Sequence, residues 1–112
     1  MRKILNNKNV IGTKNDQEKL RLDLVPIDVL KDVAQVYTIG AKKYDDENWK
    51  KGISYKRIYA AVLRHLFEFM ELNEIDEEDG QKHISSAIWG LIALNYYSNH
   101  REKYIFFDDR EK

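Results

Sequence analysis

The sequence predicts an all-α domain built on three main helices. Only five glycines and one proline interrupt the 112 residues, and 34% of the residues are charged, a composition typical of helical proteins. Three stretches repeat apolar residues with a period near 3.6. The length is that of one domain, so we expect a single unit spanning 1–112, with an irregular arm at 1–23.

Turn-forming residues dominate the N-terminal arm, and they favour irregular structure over helix. Two short apolar pairs, Ile4–Leu5 and Val10–Ile11, are candidates for small edge strands or packing arms.

The first helix is predicted over about 26–39. Pro26 suits the first helical position because its missing N–H has no partner there in any helix. Gly40 can end the helix in a left-handed conformation. The apolar residues between them fall at helical spacings: Val29, Leu30, Val33, Ala34, Val36 and Tyr37.

The second and third helices are predicted over about 55–72 and 81–100, with Ser54 as the N-cap of the second. A short acidic linker joins them, so they should pack as an antiparallel hairpin. The third helix is apolar around most of its circumference. Such a helix must be buried on several sides, and we therefore expect an obligate homo-oligomer, a dimer or larger.

The composition excludes several classes of function. The 19 basic and 19 acidic residues give no basic excess, which argues against nucleic acid as a partner. Cysteine is absent, so disulfides, thiolate zinc sites and cysteine nucleophiles are excluded. No stretch predicts a signal peptide or a membrane span. We expect no membrane partner and a cytoplasmic location, which would be the host cytoplasm for a phage-encoded chain.

An acidic junction between the second and third helices is the strongest local signal for chemistry. Six carboxylates occupy nine positions: Glu71, Glu74, Asp76, Glu77, Glu78 and Asp79. Hard cations such as Mg²⁺ and Mn²⁺ prefer oxygen ligands of this kind. His83 opens the third helix just beyond, where hairpin packing can bring it against the acids. The alternative is an ordinary solvated linker.

A basic and aromatic loop is the second signal. Lysines and one arginine surround Tyr44 and Trp49, and such groups can hold phosphates while a ring stacks a base. Alternatively, Trp49 is a packing anchor. His65 lies on the apolar stripe of the second helix, where a histidine is more often a core residue than a ligand. Arg64 and Glu68 have the spacing of a surface ion pair.

Several motifs occur together in the order of a known family. They are Lys19–Pro26, Tyr37–Tyr44, Asn48-Trp49 with Gly52, Arg64-His65-Leu66, then Asp76, Glu78, Gly80 and His83, and finally Phe107–Arg110. In these motifs the chain resembles the phage-type dATP/dGTP diphosphohydrolase N-terminal domain family, which is related to the MazG-like all-α nucleotide pyrophosphohydrolases. The resemblance covers about residues 12–110.

The resemblance implies a MazG-like helical bundle completed by oligomerisation. It also implies cleavage of a purine deoxynucleoside triphosphate to the monophosphate and pyrophosphate, with Mg²⁺ or Mn²⁺ held at the helix junction. The expected metal ligands are Glu71, Glu74, Asp76, Glu78 and His83, with Asp76, Glu78 and His83 catalytic. The expected nucleotide-binding residues are Lys43, Tyr44, Asn48, Trp49, Lys50, Arg64 and His65.

The chain departs from the family pattern near the expected chemistry. Leu72-Asn73 replaces Gly-Glu, Asp79 replaces a serine, and Ser86 replaces a second histidine. Two hypotheses follow, and the hydrolase ranks slightly ahead. The other is an anti-defence sponge that sequesters a cyclic nucleotide or an ADP-ribose-type immune signal and needs no metal cofactor. A structural homo-oligomer without a ligand ranks third.

Overall fold

The protein is described by a computed structural model that covers residues 12–15 and 17–111. Its helices are α1 (Ile27–Lys43), α2 (Tyr55–Met70), α3 (His83–Asn99) and α4 (Arg101–Tyr104). Short 3-10 turns lie at Leu22–Leu24, Asn48–Lys51 and Ile105–Phe107. The predicted all-α class is confirmed, and the candidate strands at Ile4–Leu5 and Val10–Ile11 lie outside the described residues.

Helix α1 extends beyond its predicted end at Gly40. Pro26 is the N-cap, and the helix continues to Lys43, where the Tyr44 N–H donates to the Gly40 carbonyl. Ala41, Lys42 and Lys43 are good helix formers, so the roughly 1 kcal/mol cost of one glycine does not stop the helix. The two lysines also lie favourably at the negative end of the helix dipole.

Helices α2 and α3 form the predicted antiparallel hairpin. The ring of Tyr55, at the start of α2, stacks on Tyr97 near the end of α3 with centroids 5.6 Å apart. Near the opposite end of the hairpin, His65 meets His83. Ser54 is the N-cap of α2, as expected, and its side chain accepts from the Arg57 N–H at 3.3 Å.

The core lies mainly between α2 and α3. A side chain at Gly90 would overlap Val62, so glycine permits the two helices to approach closely. Helix α1 packs on α3 but buries only Val33 completely. The core consists of Tyr55, Ile58, Val62, Ala87, Ala93, Tyr97 and Tyr104.

The C-terminal segment fastens the start of α2. The Phe107 ring covers Gly52, whose φ of 110° favours glycine. The Asp109 carboxylate accepts from the Ser54 hydroxyl and from the Lys56 N–H, the latter at 2.9 Å. This segment thereby fixes the loop that precedes α2.

Apolar side chains remain exposed along the segment that leads into α1. Leu20, Leu22, Leu24 and Ile27 are each at least 66% accessible to solvent. On α3, Leu91 is 53% exposed. None of the helices in the described part of the chain has the length and apolar character needed to cross a membrane.

Candidate functional site

A cleft of about 1080 Å³ opens between the C-terminal half of α1, the 3-10 turn at Asn48–Lys51, and helices α2 and α3. Aromatic rings of Tyr37, Trp49 and Trp89 line one part of it, which we call the aromatic end. His65, Asp79 and Gln81 line another part, which we call the histidine end.

The histidine end depends on a tight turn between α2 and α3. Ile75 and Lys82 form an antiparallel bridge, and inside it the Asp76 N–H donates to the Gln81 carbonyl at 2.8 Å. The Gly80 N–H donates to the Asp76 carbonyl at 2.7 Å, with Gly80 at a φ of 73°. The turn reverses the direction of the chain and thereby places Asp76 close to His83, the first residue of α3.

Three side chains at this turn form a group able to hold a metal ion. Each of His65, Asp76 and His83 offers one ligand atom, and these atoms all lie within 4.8 Å of one another. The Nδ1 atoms of the two histidines are 2.9 Å apart, and His83 is only 8% exposed. We call these residues the His–Asp–His group; no other such group occurs among the described residues.

The surroundings of His65 favour the neutral form of its imidazole. Burial lowers the pKa of His65, and the positive charge of Arg64 and the neighbouring His83 lower it further. A histidine binds a metal through its neutral form, so this shift prepares the ring as a ligand. The Glu78 N–H donates to an Asp76 oxygen at 2.9 Å and thereby orients that carboxylate.

The structure brings together only part of the expected metal set. Asp76 and His83 meet, and His65, which we expected to bind nucleotide, joins them. The side chains of Glu71, Glu74 and Glu78 are exposed and outside the group. The predicted antiparallel hairpin could have identified His65 as a candidate metal ligand. Its register places a residue from the second half of α2 opposite the first residue of α3.

At the aromatic end, Trp49 is packed against the core. Its ring lies 5.0 Å from Tyr96 and 6.2 Å from Tyr97 between centroids, and the Tyr97 hydroxyl donates to the Trp49 carbonyl. The Tyr104 hydroxyl donates to the Lys50 carbonyl at 2.6 Å. These contacts correspond to the packing-anchor alternative for Trp49.

All the expected nucleotide-binding residues except Arg64 line the cleft. Lys43, Tyr44, Asn48 and Lys50 line it, as do Trp49 and His65. The Lys50 ammonium is bonded to the Glu47 carboxylate at 2.8 Å. Arg64 is exposed and does not line the cleft. The carboxylate of Glu68, which we expected to pair with Arg64, accepts a hydrogen bond from the Asn73 side-chain amide at 2.8 Å.

Two lining residues, Tyr37 and Trp89, carried no functional prediction. Each is half-buried and lies on a helix that lines the cleft, Tyr37 on α1 and Trp89 on α3. Their helical spacing predicts only a packing role. Their second role, as walls of the cleft, depends on four elements that meet around one cavity. Tyr37 also belongs to the Tyr37–Tyr44 motif, which was a usable signal.

Comparison with known proteins identifies the family. A family model described as "dATP/dGTP diphosphohydrolase, N-terminal" matches residues 9–110. The chain belongs to this family. A Salmonella phage PMBT28 protein named "dATP/dGTP diphosphohydrolase" is 37% identical over 90 residues, which are 80% of this chain and 31% of the relative. The chain thus spans about a third of that relative's length, and no solved structure matches.

Asn73 and Ser86, where the sequence is expected to depart from the dATP/dGTP diphosphohydrolase N-terminal pattern, have different surroundings. Asn73 is tied to Glu68 through its side-chain amide. Ser86 lines the cleft one helical turn beyond His83. Of these two residues, Ser86 therefore shares the lining of the cleft with His65.

Proposed function

We propose that this domain binds a purine deoxynucleoside triphosphate in the cleft and hydrolyses it to the monophosphate and pyrophosphate with the help of a divalent metal. One observation carries the proposal: His65 belongs both to the group of metal-ligand side chains and to the lining of the cleft, and aromatic rings line another part of the same cleft. Family membership and the name of the phage relative support it.

The donor set fits a divalent cation. His65, Asp76 and His83 offer two imidazole nitrogens and one carboxylate, a set that suits Mn²⁺ better than Mg²⁺, which prefers oxygen ligands. A cation bound there would polarise a phosphoryl group and make bound water more acidic. His83 and Asp76 would hold it, and the Glu78 backbone N–H would keep the Asp76 carboxylate in place.

Basic side chains that line the cleft would attract the negatively charged nucleotide and offset part of its charge. Lys43 and Lys50 both line the cleft. In the free protein Lys50 is paired with Glu47 and lies 5.3 Å from the centre of the Tyr96 ring. The substrate would therefore compete with the Glu47 carboxylate for this ammonium group.

The test is pyrophosphate release from a panel of deoxynucleoside triphosphates in the presence of Mn²⁺. Asp76→Asn should lower the rate by about 100-fold or more, because it removes the only carboxylate in the His–Asp–His group. Glu77→Gln is the matched control. It neutralises an exposed acid that follows Asp76 directly in the sequence but lies outside the His–Asp–His group. Equal rates in both variants would contradict the metal site.

A nucleotide sponge is the second candidate, and the two departures favour it. Asn73 and Ser86 are weaker metal ligands than glutamate and histidine, and the Asn73 amide is engaged with Glu68. A sponge would retain nucleotide in the cleft without turnover. Heat release of bound ligand after incubation, beside analysis of the supernatant, separates sequestration from cleavage.

We also propose that a second copy of the chain covers the exposed apolar residues. Leu20, Leu22, Leu24 and Ile27 before and within α1, and Leu91 on α3, leave an apolar surface that a dimer would bury. Light scattering at micromolar concentration should give a dimer or larger assembly. A stable monomer would contradict this part of the proposal.

A further inference from the structure

We propose that Trp89, supported by Tyr37, forms the wall on which the nucleobase stacks, and that Trp49 supports this wall from behind. The ligand class is a flat purine base carried by a nucleotide. The inference rests on the proposed function for the phosphates, but it concerns only where the base binds.

Trp49 is surrounded by other side chains. Its ring meets Tyr37 at 5.9 Å, Tyr96 at 5.0 Å and Tyr97 at 6.2 Å between centroids, and the Lys50 ammonium lies 5.8 Å from its centre. It also packs against the buried core. A ring enclosed on so many sides has little free face to offer a base.

Trp89 has fewer ring neighbours. It lies on α3, is half-buried and lines the cleft, and it meets Tyr37 at 6.3 Å and Trp49 at 6.5 Å. Both neighbours are strongly tilted against it, at 60° and 77° between ring planes. Such edge contacts hold an indole in place and leave π surface for another ring.

The position of Trp89 along α3 suits a nucleotide that extends toward the His–Asp–His group. Trp89 follows His83 by six residues, which is about 9 Å along a helix axis. Ser86 lies between them and also lines the cleft. A base at Trp89 would therefore leave the sugar near Ser86 and direct the phosphates toward the candidate metal ligands.

The chain has only two tryptophans, so fluorescence can report on each ring separately. Trp49→Phe leaves Trp89 as the sole indole, and Trp89→Leu leaves Trp49. Each protein is titrated with dGTP and with dGMP in the presence of Mg²⁺, and pyrophosphate serves as a ligand without a base. Because dGMP carries the same base, turnover of dGTP does not erase the signal.

We expect dGTP and dGMP to quench Trp49→Phe as strongly as the unchanged protein, with no quenching by pyrophosphate. Trp89→Leu should show no quenching, and its dGTP affinity should fall by about tenfold, as for a lost base–aromatic stack. Circular dichroism checks that both variants fold. If Trp89→Leu fails to fold, the quenching of Trp89 in the Trp49→Phe protein still decides the question.

Three results would overturn the inference: quenching confined to Trp49, no quenching in any protein, or unchanged dGTP affinity in folded Trp89→Leu. None of these results decides whether the domain hydrolyses nucleotides, because the pyrophosphate-release assay tests that separately. Conversely, quenching of Trp89 without pyrophosphate release would support the base wall, contradict the hydrolase and favour the sponge.

Discussion

The two ends of the cleft are built differently. The histidine end depends on a tight turn of backbone hydrogen bonds around Asp76, and the acids nearby remain exposed. The aromatic end is part of the hydrophobic packing, and buried tyrosines from α3 and α4 hold its loop. We therefore expect substitutions at the histidine end to change metal binding with little loss of stability, and those at the aromatic end to change both stability and ligand binding.

Trp49→Ala should produce the largest loss of stability. It removes a large ring that packs on the core, and truncations of this kind cost about 3 kcal/mol. Urea unfolding followed by circular dichroism measures the effect. The Trp89→Ala variant, at the cleft face, should lose clearly less. Equal losses would remove the distinction between a supporting ring and a cleft-wall ring.

Gly90→Ala tests the helix contact on which both ends depend. The added methyl group would overlap the Val62 side chain, and overpacking in a core costs about 1–3 kcal/mol. We expect a lower melting temperature, and partial recovery in Gly90→Ala combined with Val62→Ala. If Gly90→Ala is as stable as the unchanged protein, α2 and α3 do not approach as closely as described.

Tyr97→Phe should affect the aromatic end alone. The Tyr97 hydroxyl is buried, its pKa is raised to about 12 by that burial, and it donates to the Trp49 carbonyl. Its loss should cost about 1 kcal/mol and weaken dGTP binding a few-fold. Mn²⁺ affinity should not change. Weakened Mn²⁺ binding would show that the two ends are coupled.

Asp109→Asn should have the smallest effect, one that depends on pH. The Ser54 hydroxyl and the Lys56 N–H lower the pKa of Asp109, so the folded state favours its charged form. The resulting stabilisation is present above the usual pKa of about 4 and is lost as the pH falls through the lowered value.

Melting temperatures measured from pH 7 to pH 2.5 should therefore differ between Asp109→Asn and the unchanged protein at neutral pH and converge in acid. Ser54→Ala removes one hydrogen bond to the same carboxylate and serves as the comparison. A constant difference at all pH values would mean that the charge of Asp109 is not what stabilises the start of α2.

The features that depend on local sequence pattern could be predicted from the sequence. Apolar periodicity located the helices, Ser54 was recognisable as an N-cap, and Asp76 and His83 stood out beside the acidic junction. Gly40 misled the prediction because a glycine ends a helix only where the following residues cannot continue it.

Long-range contacts could not be predicted in the same way. His65 became a candidate ligand only through the hairpin register that sets it against His83. Trp49 lies in a loop without helical periodicity, so its packing against Tyr96 and Tyr97 left no pattern in the sequence. The cleft face of Trp89 exists only because α1 and the loop close around it.

We propose that His65, Asp76 and His83 form a metal site at the histidine end of the cleft. Titration of the unchanged protein with Mn²⁺, followed by electron paramagnetic resonance, should give saturable binding at one ion per chain. His65→Ala should weaken that binding by about 100-fold while the helical circular dichroism persists, and Glu74→Gln, which changes an exposed acid, should not. Unchanged Mn²⁺ affinity in His65→Ala, or loss of binding in Glu74→Gln alone, would contradict the claim.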